Sequence, residues 1–125
     1  MAHDTFFTNT RRDVVDGAIA YMGKHLRDRI SLEQLSAITQ LSVFHFSTLF
    51  RKEVGVAPYR YLCMLRVERA QILLRQGRRP SDVAIEVGFF DQSHLSRHFK
   101  NICGMTPGRY VGSHYREYRP GSTHE

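Results

Sequence analysis

Residues 45–61 of this chain return, altered but recognisable, at residues 94–110, and that repetition limits the fold more than any other feature. At an offset of 49, His45, Ser47, Phe50, Gly55, Pro58, Arg60 and Tyr61 meet His94, Ser96, Phe99, Gly104, Pro107, Arg109 and Tyr110, seven identities in seventeen positions. Phe46/Leu95 and Arg51/Lys100 keep their character. Upstream the best offset falls to 48, pairing Leu35 with Val83 and Leu41 with Phe89. The second copy therefore carries one extra residue in its turn. A chain of 125 residues fits one compact unit or two very small lobes.

Each copy has one order of parts: short helix, tight turn, longer helix, Gly, Pro-started helix. Ser31 with Gln34 predicts a capping box ahead of a helix from Leu32 to about Thr39. Ser42 predicts the cap of a helix from about Val43 to Val54, and Gly55 its end. Pro58 opens a long segment to about Gln76, with Leu62, Leu65, Ile72 and Leu73 near one face and Gly77 as its stop. Ser81 is the expected cap of a short helix to about Val87, and Gly88-Phe89-Phe90 the turn after it. Asp91 caps a helix to about Cys103, Gly104 ends it, and Thr106 with Pro107 opens a last helix to about Arg116. Ahead of both copies, residues 13–27 set Val15, Ile19, Met22 and Leu26 on one stripe. There is no sustained period-two alternation and no Asn-Gly or Asp-Gly hairpin turn. The expected fold is all-α, about seven helices. It consists of two helix-turn-helix subdomains (1–57 and 78–119) joined by a linker helix (58–77), with a disordered tail at 120–125.

Composition excludes several classes. No apolar run approaches the roughly 20 residues that span a bilayer. Met1 to Thr10 lacks the basic head and apolar run of a secretory signal, so the expected compartment is the cytoplasm, at the nucleoid. The net charge of +6 favours a polyanionic partner, and it is spread along the chain rather than gathered in a tail. Cys63 and Cys103 read as two small apolar side chains packed inside, since a disulfide is disfavoured in a reducing cytosol and no CxxC pair offers a zinc site. No nucleophile with a base and no phosphate loop is present, so an enzyme is not expected, and neither is a cofactor.

The longer helix of each copy is amphipathic. Phe46, Leu49 and Phe50 share a core face in the first, against Val43, Phe44, Ser47, Thr48 and Arg51. In the second, Leu95, Phe99 and Ile102 point inward. Gln92, Ser93, Ser96, Arg97 and Lys100 point outward, flanked by His94 and His98. Gln suits an adenine edge, Arg suits guanine O6 and N7, and Ser serves either. A single polar face is only what any surface helix has; two of them, after repeated turns in a cationic chain, point to duplex DNA. Phe44 could cover a thymine methyl or fold back onto the protein. Arg60 and Arg109, just inside Pro-started helices, fit a phosphate contact or an intramolecular pair. Tyr61 and Tyr110 beside them read as core.

The string GFFDQSHLSRHFKNICGMTPGRY, from Gly88 to Tyr110, resembles the signature of the AraC/XylS family of bacterial transcription regulators. LSVFHFSTLFRKEVGVAPYRYL resembles that family's first helix-turn-helix and the start of its linker helix, with Ser36 and Gln40 where the family usually has Ala and Gly. The resemblance covers roughly residues 13 to 116. It implies two helix-turn-helix units on a long helix, here on the order of 28 Å, compatible with successive major grooves about 34 Å apart. It places base contacts on Phe44, Ser47 and Thr48, and on Gln92, Ser93, His94, Ser96 and Arg97. The first set is poor in bidentate donors, so the second unit is expected to carry more of the specificity. The resemblance also implies promoter DNA and RNA polymerase as partners, with activation as the effect. Most members carry a separate effector or dimerisation domain; 125 residues leave no room for one, so the chain is either a stand-alone monomer or the DNA-binding part of a longer regulator.

Two other classes compete. His94 and His98, four apart on one helix, could hold a metal, with Asp91 or His45 as conceivable third ligands, though the ligand count disfavours it and no metal is expected. A protein-interaction module would differ from a DNA binder in lacking a steep salt dependence.

Overall fold

The computed structural model describes residues 10–118, which leaves residues 1–9 and the tail expected at 120–125 outside the described residues. These residues form seven helices and no strand: α1 (Arg11–Lys24), α2 (Leu32–Thr39), α3 (Val43–Val54), α4 (Pro58–Arg75), α5 (Pro80–Glu86), α6 (Gln92–Cys103) and α7 (Pro107–Tyr118). The chain divides into two units, 1–62 and 63–125, and the division falls inside α4.

In the first unit, α1, α2 and α3 pack against one another. Helix α1 begins two residues earlier than its apolar stripe suggests, because Thr10 and Asp13 make a reciprocal capping box: Thr10 Oγ1 accepts from the Asp13 N–H at 3.1 Å, and Asp13 Oδ2 accepts from the Thr10 N–H at 3.0 Å. It also stops at Lys24, so Leu26 lies beyond it and is half-buried. The core takes Val15, Ala18 and Met22 from α1, Leu35 from α2, Phe46 and Phe50 from α3, and Leu62 from α4. Ser31 and Gln34 form the capping box of α2, and Ser42 caps α3.

The second unit is built on the rest of α4. Cys63, Val67, Ala70, Leu73 and Leu74 step along one face at helical spacing and bury against Val83, Ala84, Val87, Phe89, Leu95 and Phe99. Arg66 lies on that buried stripe, whereas Ile72, expected to share a face with Leu62 and Leu73, is exposed and Leu65 only half-buried. The stripe runs 63, 66–67, 70, 73–74, and position 72 falls off it; hydrophobicity alone gave the wrong side chain to the core. Gly77, at φ 88°, ends α4 in the left-handed conformation.

Helix α5 is not capped by Ser81. Its N-cap is Arg79, which makes no side-chain capping bond, and Pro80 is the first helical residue. Proline suits that position because its missing N–H would be unpaired there anyway, and it pushes the residue before it into the extended region, where Arg79 sits at ψ 141°. Asp91 caps α6, accepting from the His94 N–H at 2.8 Å. Thr106 Oγ1 accepts from the Arg109 N–H at 3.3 Å at the start of α7, which continues past Arg116.

Neither Cys63 nor Cys103 forms a disulfide. Cys63 is buried as expected. Cys103 is only half-buried at the edge of its core, where Gln71 Nε2 donates to Sγ at 3.2 Å and burial pushes the thiol pKa up. Among the described residues no helix is long and apolar enough to cross a membrane.

Candidate nucleic-acid interface

Each unit holds its longer helix with the same devices. The turn after α2 closes with the Leu41 N–H on the Ser36 carbonyl (3.3 Å), and the turn after α5 with the Phe89 N–H on the Ala84 carbonyl (2.9 Å). These are the six-residue bonds of a Schellman turn, which needs a left-handed residue just past the helix. Gly88 fills that place in the second unit at φ 99°; in the first it is Gln40, at φ 64°. An aromatic pair then fixes the longer helix to the next one. Phe50 meets Tyr61 edge-on at 5.7 Å, and Phe99 meets Tyr110 edge-on at 5.4 Å.

With Phe46 and Phe50 pointing inward, α3 turns Phe44, Thr48 and Arg51 to solvent and leaves Ser47 half-buried. Phe44 does not fold back into the core: it is 74% exposed, and its ring meets the edge of His45 at 5.9 Å. In α6, Leu95 and Phe99 are buried, while Gln92, Ser93, Arg97 and Lys100 are exposed and His94 and Ser96 half-buried. The polar, cationic set expected on each helix is thus displayed together along one side of it. Arg60 and Arg109 are exposed in the first turns of α4 and α7, not on α3 or α6.

The two histidines at matched positions differ. His45 Nδ1 lies 3.0 Å from the hydroxyl of the capping Ser42. His94 Nδ1 accepts from the Phe90 N–H at 3.1 Å, which leaves Nε2 as its only ring nitrogen for another partner. The His94 ring meets Phe89 edge-on at 5.1 Å and His98 at 4.8 Å, His98 stacks on Phe89 at 5.2 Å, and the Arg66 guanidinium lies 5.8 Å over Phe89. Burial, then the charges of Arg97 and Arg66, lower the His94 pKa against the opposing pull of Asp91. Among the described residues no third His, Cys, Asp or Glu joins His94 and His98 as a metal ligand.

Sequence reasoning passed over Phe90. It is the extra residue of the second turn, placed one position ahead of the capping Asp91, and it is 76% exposed. The change of offset from 48 to 49 was the signal that an additional side chain had to go somewhere. Each unit thus shows solvent one phenylalanine near the N-terminus of its longer helix.

A helix-turn-helix domain family matches residues 35–113 of the chain, well over half of it. The chain belongs to the AraC-type helix-turn-helix family of transcription regulators. It is 35% identical over 91 residues to the probable transcriptional regulator LumQ of Photobacterium leiognathi, a match covering 72% of this chain and 37% of that protein. It is also 35% identical over 97 residues to the MmsAB operon regulatory protein of Pseudomonas aeruginosa, covering 77% of this chain and 32% of that one. The chain spans about a third of the length of these relatives. Among solved structures it resembles the DNA-binding domain of AdpA, a global transcriptional factor crystallised with a target DNA. The TM-score is 0.78 at 32% identity, over 85% of this chain and 96% of that one.

Proposed function

We propose that this AraC-type regulator reads two successive major grooves of promoter DNA, one with α3 and one with α6, and activates transcription through contact with RNA polymerase. The observation that carries this is the display on both helices of short polar and cationic side chains in the same turn context. In α6, Arg97 pairs with guanine, Gln92 with adenine, and Ser93, Ser96 and the free Nε2 edge of His94 adjust the fit. Lys100 holds phosphate, as do Arg60 and Arg109 beside each longer helix. In α3, Ser47 and Thr48 make single contacts, Arg51 a backbone contact and Phe44 an apolar one. The DNA-binding domain of AdpA, 32% identical, was crystallised with a target DNA, which supports DNA as the partner here.

The test is selection of genomic DNA fragments by the purified protein at physiological salt, followed by sequencing. A shared motif with two half-sites about one helical turn apart is the expected result. A single half-site would reduce α3 to a clamp. Binding without enrichment would remove sequence reading, and binding without salt dependence would remove the DNA reading altogether.

A further inference from the structure

The first unit contains a cavity of about 410 Å³ that regular packing of a helix-turn-helix does not require. Part of its lining is apolar: Ile30, Leu32 and Leu35 around the start of α2, and Ala57, Pro58 and Leu62 around the start of α4. The rest comes from Phe44, Ser47, Thr48 and Arg51 of α3. Tyr59 adds a second ring. A space of this size, mostly apolar with a few convergent polar groups, is how small-molecule sites are built.

The geometry points to a binding site for a small aromatic organic anion, a carboxylate or sulfonate, whose occupation excludes DNA from the first unit. The anion follows from Arg51. It lines the cavity, is exposed, and among the described residues forms no ion pair with a carboxylate. A guanidinium in that position offers paired donors to a planar oxyanion. The aromatic body follows from the lining, which sets two rings among aliphatic side chains. Exclusion of DNA follows because Phe44, Ser47, Thr48 and Arg51 are the residues that α3 would turn to the groove, so this step rests on the proposed function. On the matched helix of the second unit, Lys100 stands in the place of Arg51 and lacks its paired, planar donors.

The test uses the full chain and 1-anilinonaphthalene-8-sulfonate, an aromatic anion that fluoresces in apolar surroundings. Saturable binding to one site is expected. Ile30→Trp, which fills the cavity from outside α3, should weaken it at least about tenfold, the loss expected when an apolar site is occupied by the protein itself; Ala57→Phe serves the same purpose should Ile30→Trp fail to fold. Arg51→Gln should cost the sulfonate about tenfold, the worth of a charge-assisted hydrogen bond, and leave the neutral N-phenyl-1-naphthylamine unaffected. A duplex carrying the selected site should displace the probe. Absence of saturable binding, or binding indifferent to both filling variants, overturns the ligand site. Cavity-dependent binding that the duplex leaves undisturbed overturns the exclusion of DNA. If the probe-free protein binds no duplex, the DNA reading is what fails, and the probe titration still decides the cavity.

Discussion

The first unit closes its turn with Gln40 in the left-handed conformation, and the second closes the same turn with Gly88. At the residue whose carbonyl seals each turn the contrast continues. Ser36 is buried and spends its hydroxyl on the Glu33 carbonyl at 3.0 Å, where the second unit has the fully buried Ala84. A non-glycine residue in that region costs on the order of 1 kcal/mol, and a buried hydroxyl bonded within its own helix adds little in return. The second unit has the cheaper turn, a longer one that exposes Phe90, and a helix with more bidentate donors. One architecture is therefore tuned differently in its two copies: the second exposes more donors on its longer helix, and the first carries local strain beside a cavity.

The comparison can be broken most severely through the matched core aromatics. Phe50→Ala and Phe99→Ala should each cost about 3–5 kcal/mol. Hydrogen exchange should show each loss of protection confined to its own unit; equal loss in both would mean that the units do not unfold independently. Arg97→Ala comes next, with a loss of about 1–3 kcal/mol on the selected site and relaxed sequence preference. Arg51→Ala should weaken selected and random DNA alike, measured by competition binding. Reversal of that pattern would make the first unit the reader.

Exchange of the turn residues should give smaller shifts of opposite sign. Gln40→Gly should raise the stability of the first unit by about 0.5–1 kcal/mol, after allowance for the greater freedom of glycine in the unfolded chain. Gly88→Gln should lower that of the second by about 1–2 kcal/mol, both read from denaturant midpoints. The smallest effect is that of pH. Because the folded-state pKa of His94 is lowered, chiefly by burial, protonation favours the unfolded chain. The contribution of this group is fully present above the ordinary histidine range and is lost as pH falls through that range toward the lowered value. Thermal unfolding between neutral and mildly acid pH should show this loss, and His94→Gln should flatten it.

Caps and turns were readable wherever a single residue type does the work. Ser31 with Gln34, Ser42, Asp91, Gly55 and Gly104 all stand where their side chains or their tolerance of positive φ placed them. Pro80 outranked Ser81 because a fixed φ acts on the backbone directly, whereas a hydroxyl cap must compete for its bond. The face of α4 was harder to read. Its buried stripe includes Arg66, a residue that hydrophobicity counts against the core, and its charge lies over Phe89, which no local pattern predicts. The exposed sides of α3 and α6 were legible because both helices are strongly two-sided. The setting of His94 was not, since it depends on the Phe90 N–H that the inserted residue brings to its ring.

The division of the chain within α4 has a consequence in time. Leu62, the last core residue of the first unit, leaves the ribosome before any part of the second core. Synthesis at about 5–20 residues per second puts Phe99 roughly 2–7 seconds behind it. During that interval the nascent chain carries every core residue of the first unit, followed by half a helix whose apolar side has no partner. The unit with the strained turn is thus synthesised ahead of its twin, and the apolar side of α4 stays uncovered while Cys63, Val67 and Ala70 have emerged and Phe99 has not.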